Sequence, residues 1–400
     1  MKKLIINPIV AKYLVFNGLF SFAISFSFAI YTPFLLSKGM NLFQVNLINA
    51  SFMIVNFLAE MPTGGFADRF GRHNSLIVSC LLVIISSITY YFSGSLLTFI
   101  LAESIGAIGH TFASGATDAW LVDSLKIRNE YHLKEKIFRK EMFINNFGVI
   151  VGCTMGSFLG GIELGLAWIG SAMAMFLTGL FTLFFIKENY AHQMQRDCSG
   201  SILQNIKGAW SLGINEKKLL YIMSFGTLVT LSFQGINMQW SVLFQTDYHF
   251  TSLQLGFLFA AIAVFIVSGG MLSAYIHKII KNRILAMIIP QLITAIIIIT
   301  CSRLTNLYLV TSTFLLHEVT RGMLKPLRKS YINDYFVSDK RATLSSLDSM
   351  FDKAGATIGL VVSGLLANSL SIRLTWLFSG LFLIIGVIFF IWRQPKTATN

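Results

Sequence analysis

Charge is what this 400-residue chain has least of. Asp, Glu, Lys and Arg together make up 12% of it, against about 25% in a soluble domain, and this excludes an ordinary water-exposed surface. Acids are scarcer still, 18 against 31 Lys and Arg. The four cysteines, Cys80, Cys153, Cys198 and Cys301, are too scattered for a disulfide framework or a metal site. No HExxH, GxSxG or Walker pattern occurs, which leaves no signature of zinc peptidase, serine hydrolase or direct ATP-driven chemistry. No small-residue cleavage site follows Lys2, Lys3 and Lys12, so the first apolar run reads as a retained helix.

What is abundant is apolar sequence, 54% of residues. It falls into repeated runs of the ~20 residues that a bilayer-spanning helix requires. The runs predict an all-α membrane protein of twelve spans: Tyr13–Leu36, Leu42–Met61, Leu76–Phe92, Leu96–Ala119, Met142–Leu164, Ala167–Ile186, Leu219–Phe244, Leu253–Ile276, Ile284–Cys301, Leu307–Leu324, Leu344–Leu366 and Leu374–Trp392. The formal charge of +13 does not point to nucleic acid. Lys and Arg crowd into alternate loops, and the opposite loops hold only Lys38, Arg303 and Arg373. That asymmetry is the positive-inside pattern; it puts both termini in the cytoplasm, with anionic lipid headgroups as the partner of the basic side.

The long polar segment Lys187–Lys218, with a possible amphipathic piece at Ile202–Leu212, divides the chain into residues 1–186, 187–218 and 219–400. The outer two look like repeats. Glu141, Gly148 and Gly152 recur as Asp348, Gly355 and Gly359 at an offset of 207, Ser114–Gly115 matches Arg321–Gly322 at the same offset, and Trp168 matches Trp376 at 208. Two pseudo-symmetric six-helix bundles follow, and parallel halves of this kind place a small-molecule site near the midplane.

Residues 60–76 read EMPTGGFADRFGRHNSL and join the second and third spans. Gly64, Gly65 and Gly71 are expected to allow a tight turn there, beside Asp68, Arg69 and Arg72. The plain reading is a positive-inside loop. The pattern Gly64-x-x-Ala67-Asp68-Arg69-x-Gly71-Arg72-x-x-x-Leu76, however, resembles the loop between helices 2 and 3 of the major facilitator superfamily, with Phe66 where the family usually has Leu and His73 where it has Lys. Glu60-Met61-Pro62-Thr63 is similar to a bacterial subgroup of exporters. The resemblance implies a secondary transporter of the bacterial cytoplasmic membrane, monomeric and without a cofactor.

Gly148, Gly152, Gly156 and Gly160 lie four apart and form one smooth helix face for close packing. Gly152-x-x-x-Gly156-Ser157-x-x-Gly160-Gly161 also resembles the span-5 motif of proton-coupled exporters in the superfamily, although Ser157 replaces its Pro and Phe143 its first Gly. Ionisable groups inside spans are costly, ~3 kcal/mol or more, and usually face a cavity or a partner. Glu103 and His110 lie seven apart on one face of span 4. Glu318 and Arg321 lie at i and i+3 in span 10, beside His317. Glu103 is a candidate proton acceptor and stands near the place of the family's usual span-4 Arg, which is absent. His110 is either a proton carrier or a satisfied polar side chain, and Glu318–Arg321 is either a transport element or a structural ion pair.

Two contacts are expected to latch the cytoplasmic side. Arg69 or Arg72 would meet Asp118 or Asp123, and Asp68 would meet the N-terminus of span 11 near Thr343, Ser345 and Ser346; separate surface charges are the alternative. Asn17, Tyr31, Asn145, Gln234, Asn237, Trp240 and Asp352 are candidate cavity residues. Aromatics with few fixed charges suit amphipathic or cationic solutes. The leading reading is proton-coupled efflux, with proton-driven uptake of a nutrient or siderophore second and a membrane-embedded sensor or enzyme as the other class.

Overall fold

Bilayer-length apolar runs dictate helices, because only a helix satisfies its own backbone polar groups in hydrocarbon. A computed structural model describes residues 8–187, 217–335 and 341–394, and these are helical almost throughout. In order they are α1 Pro8–Ile24, α2 Tyr31–Ser37, α3 Leu42–Phe70, α4 Arg72–Phe92, α5 Leu96–Ile127, α6 Lys134–Ile162 and α7 Leu166–Phe185, then α8 Lys217–Tyr248, α9 Ser252–Ile279, α10 Arg283–Arg303, α11 Leu307–Gly322, α12 Leu324–Tyr335, α13 Arg341–Ser369 and α14 Ile372–Trp392. The amphipathic piece expected at Ile202–Leu212 lies outside the described residues.

Eleven segments among the described residues are long and apolar enough to cross a bilayer, the first running from Pro8 to Ser37 through α1 and α2. The expected tenth span is α11, 16 residues long. At about 1.5 Å per residue it falls short of a ~30 Å core, but only the turn at Met323 separates it from α12. The break between α1 and α2 has a local cause. Pro33 has no N–H to give to the carbonyl four residues back, and a 3₁₀ turn at Ser25–Ser27 takes up the slack.

Several helices outrun their expected spans. The second span ends as an apolar run at Met61, yet α3 continues through Pro62, Gly64 and Gly65 to Phe70. The segment read as a loop is therefore mostly helix. Gly64 and Gly65 have open space around them, and only Gly71, at φ 95°, needs the backbone freedom of glycine. A helix needs backbone hydrogen bonds but not lipid, so polar residues extend it past the apolar run.

The chain forms two compact units, Met1–Gln193 with Ser241–Ala260, and Met194–Trp240 with Ala261–Asn400. In the first, α4 zips to α5 through serines: Ser75, Ser79 and Ser86 donate to the carbonyls of Phe112, Gly109 and Ala102 at 2.9, 2.6 and 2.8 Å. With lipid outside, close approach and such hydrogen bonds hold helices together. The glycine face of α6 packs on α1: a Cβ at Gly148, Gly152 or Gly156 would strike the backbone of Gly18, Phe22 or Phe26. The unit also takes in Ser252, which donates to the Gly160 carbonyl at 3.3 Å. In the second unit, Gly355 and Gly359 of α13 meet the backbone of Thr227 and Leu231 on α8 in the same way. The sequence repeat thus marks one packing device used twice.

Candidate functional site

Three polar clusters are built into these helices. The first surrounds Glu103 on α5, a residue only 8% exposed. Tyr90 Oη donates to its Oε2, and Asn49 Nδ2 lies 3.5 Å from Oε1. The Tyr31 hydroxyl is 3.3 Å from that of Tyr90. Tyr90 also lies flat on the indole of Trp168, with ring centroids 3.9 Å apart, and Phe34 and Phe99 close the aromatic shell. Among the described residues, the partners of Glu103 are Tyr90, Asn49 and Tyr31, with no cation. One turn-pair along the same face, His110 sits near the rings of Phe20 and Phe52 at 6.2 and 6.0 Å.

The second cluster lies at the other end of α5. Tyr13 Oη is 2.8 Å from Asp118 Oδ1 and 2.6 Å from Glu141 Oε2, and Asn145 Nδ2 donates to Glu141 Oε1 at 3.1 Å. Asn17 gives its amide to the Tyr13 carbonyl on its own helix. Nearby, Arg72 pairs with Asp68 at 2.5 Å across Gly71, and Arg69 stands over the Phe70 ring at 5.3 Å. The ion pair of Arg72 is thus with Asp68, while Asp118 faces Tyr13; Asp123 is half-buried at the end of α5. Thr343, Ser345 and Ser346, the expected counterpart of Asp68, fall outside the residues whose side chains are described.

The third cluster belongs to the second unit. Glu318 is 2% exposed and holds Arg321 at 2.6 Å, with His317 Nε2 at 3.5 Å. Arg321 also donates to Asn237 Oδ1 on α8 and lies 5.6 Å over Phe233. Trp240, Phe314 and Trp376 continue as a stack, with centroids 6.2 and 5.9 Å apart. Gln234 is buried on α8 with its chain against Gly359. Deeper toward the end of the unit, Arg328 of α12 donates to both Asp348 and Asp352 of α13.

A family model described as the Major Facilitator Superfamily matches residues 13–316 and again 223–400. The chain belongs to the Major Facilitator Superfamily. It is a multi-pass membrane transporter. An uncharacterized MFS-type transporter of Bacillus subtilis, YxaM, is 24% identical over 96% of both chains. Multidrug resistance protein 2 of the same organism is 19% identical over 87% of this chain and 86% of its own. The crystal structure of the nucleoside transporter NupG superposes with a TM-score of 0.79 at 14% identity, over 97% of this chain and 100% of that one, which is likeness of fold.

Of the candidates this superfamily member offers in its sequence, the fold gathers Glu103 with Tyr31, Asp118 with Asn145 through Glu141, and Asn237 with Glu318 and Arg321. Asp352, a cavity candidate, accepts from Arg328. The residues missed in the sequence are Tyr90, Asn49, Tyr13, Glu141 as a polar group, and Arg328. Tyr90 had a usable signal. Only Ser93 to Ser95 separate α4 from α5, so a polar group near the end of one must face a polar group near the start of the next.

Proposed function

We propose that this transporter couples the export of small organic molecules to the proton gradient across the cytoplasmic membrane of a bacterium, with both termini in the cytoplasm. The observation that carries the reading is Glu103: a carboxyl in hydrocarbon, hydrogen-bonded by Tyr90 and Asn49, with no cationic partner among the described residues. Such groups mark ion pathways. A carboxyl without a fixed counter-charge can take and give a proton during the cycle, while Glu318 stays with Arg321. The relationship to Multidrug resistance protein 2 and the aromatic walls around Glu103 support export of amphipathic or cationic solutes. Glu103 acts as the proton carrier, and the aromatic and amide side chains of α8 around Asn237 and Trp240 receive the solute.

The test is transport in proteoliposomes with an imposed pH gradient and fluorescent amphipathic amines such as ethidium. Solute moving against the proton flow supports antiport; solute moving with it establishes uptake instead. Glu103→Gln keeps size and hydrogen bonding and is expected to abolish gradient-driven transport while equilibrium binding of the amine persists. Full gradient-driven transport by that variant removes Glu103 from the mechanism.

The Asp68–Arg72 pair is proposed to set the balance between the two access states. Asp68 is 52% exposed, so the pair is worth about 0–1 kcal/mol, a fraction of the few kcal/mol that separate two populated states. Asp68→Asn is expected to raise the inward-open population and slow transport with near-normal expression. Spin-label distances between the cytoplasmic ends of the fourth and tenth spans read this directly, and unchanged distances reduce the segment to a topogenic signal.

A further inference from the structure

Tyr13 is fully buried, and its hydroxyl oxygen lies within hydrogen-bond distance of two carboxyl groups, Asp118 at 2.8 Å and Glu141 at 2.6 Å. A phenol carries one hydrogen, and an ionised carboxylate only accepts. With both acids ionised, one of these contacts would press two oxygens together with no hydrogen between them. The other oxygen of Glu141 is already served by Asn145 at 3.1 Å. The charged groups at this end of the surrounding helices are Lys12 on α1, Asp68 and Arg69 on α3, Arg72 and His73 on α4, Asp123 and Lys126 on α5, Glu135, Lys136, Arg139 and Lys140 on α6, and Lys187 after α7. The hydrogen bonds to Asp118 and Glu141 come from Tyr13 and Asn145.

The second half holds its acids differently. The 207-residue offset carries Glu141 onto Asp348, Asn145 onto Asp352 and Leu121 onto Arg328. In that half the Arg328 guanidinium joins Asp348 and Asp352. In the first half the matching positions hold one acid, one amide and a leucine, and the other acid, the exposed Asp118, corresponds to Lys325. There a tyrosine, not an arginine, lies between two carboxyl groups.

We propose that Tyr13, Asp118 and Glu141 form a proton-binding site. The proton adds to one carboxylate oxygen to form an O–H. That O–H donates to the Tyr13 oxygen, and the Tyr13 O–H donates to the other carboxylate. Release reverses the step with no change of electrons. The site is separate from Glu103, fifteen positions away on α5, about 22 Å along the helix. Only its use in transport rests on the proton-coupled reading; its occupancy does not.

Infrared difference spectroscopy on the purified full-length protein in lipid tests this. At neutral pH the wild type is expected to show a protonated-carboxyl band that Glu141→Gln or Asp118→Asn removes and Glu103→Gln retains. Tyr13→Phe is expected to shift the band, because its hydrogen-bond partner is gone. Spectra unchanged in both acid variants overturn the proposal. So does a wild-type band that appears only when sodium is replaced by choline, since that assigns the site to a metal cation. Should the acid variants not fold, a wild-type spectrum without a titrating carboxyl between pH 5 and 9 overturns it equally. Failure of the coupling reading is distinguishable, because it shows as normal gradient-driven transport in Glu103→Gln.

Discussion

Gly156→Leu is expected to leave little folded protein. A Cβ at residue 156 would lie on the carbonyl of Phe26, and therefore on backbone rather than on the end of a side chain that can swing away. Phe26 is itself held in the 3₁₀ turn Ser25–Ser27, whose Ser25 Oγ donates back to the Phe22 carbonyl at 2.9 Å. Neither helix can yield without losing the neighbouring contacts of Gly152 and Gly160. Overpacking in a core usually costs about 1–3 kcal/mol; with backbone on the receiving side at least the upper end applies, a large part of a typical total stability of about 5–15 kcal/mol. Gly161→Ala is the control, because nothing lies within 4 Å of a Cβ there. Monodisperse yield in detergent and the thermal midpoint read by tryptophan fluorescence check both. Equal behaviour of the two variants would mean that α1 and α6 are not packed as described.

The parts of this architecture that were legible in the sequence are those governed by one dimension. Span length and the four-residue glycine spacing are both local properties of the chain, and helices form and pack where they indicate. The twofold repeat was legible for the same reason: Gly148 and Gly355 sit in similar strings because each meets the first helix of its half. Helix ends were less visible. Apolar runs report the bilayer, whereas the hydrogen-bond ladder of α3 runs nine residues beyond Met61 to Phe70.

The polar clusters were half visible. Glu103, Glu318 and Arg321 announce themselves as charges in apolar runs. Their partners do not, because Tyr90, Asn49 and Asn237 are ordinary residues until tertiary packing brings them in. Tyr13 looked like the first aromatic of a span, and Glu141 like the last charge of a basic loop. Their meeting with Asp118 joins α1, α5 and α6, a contact between positions more than a hundred residues apart. The partner of Asp352 was hidden for a related reason: Arg328, which pairs with it, lies on a different helix in a sequence neighbourhood full of Lys and Arg.

Arg328→Gln is expected to be the most damaging single charge change in the second half. The guanidinium is 7% exposed, while the side chains of its partners Asp348 and Asp352 are 22% and 41% exposed. The two acids lie at i and i+4 on α13 and repel each other once the cation is gone. Removing one member of a buried ion pair costs about 3–5 kcal/mol; the partial exposure of Asp352 brings the expectation to the lower end. Arg328→Lys is not a conservative substitute, since one ammonium cannot present the fork that reaches both acids. Gly226→Ala should act in the same direction, because a Cβ there would strike the Arg328 guanidinium. Adding Asp348→Asn to Arg328→Gln relieves the repulsion and should recover part of the loss, and that recovery identifies the ion pair as the cause. Thermal midpoints of the two single variants and the double variant in detergent decide the matter: additive losses in the double variant would show that Arg328 acts through its packing on α8 and not through the two carboxylates.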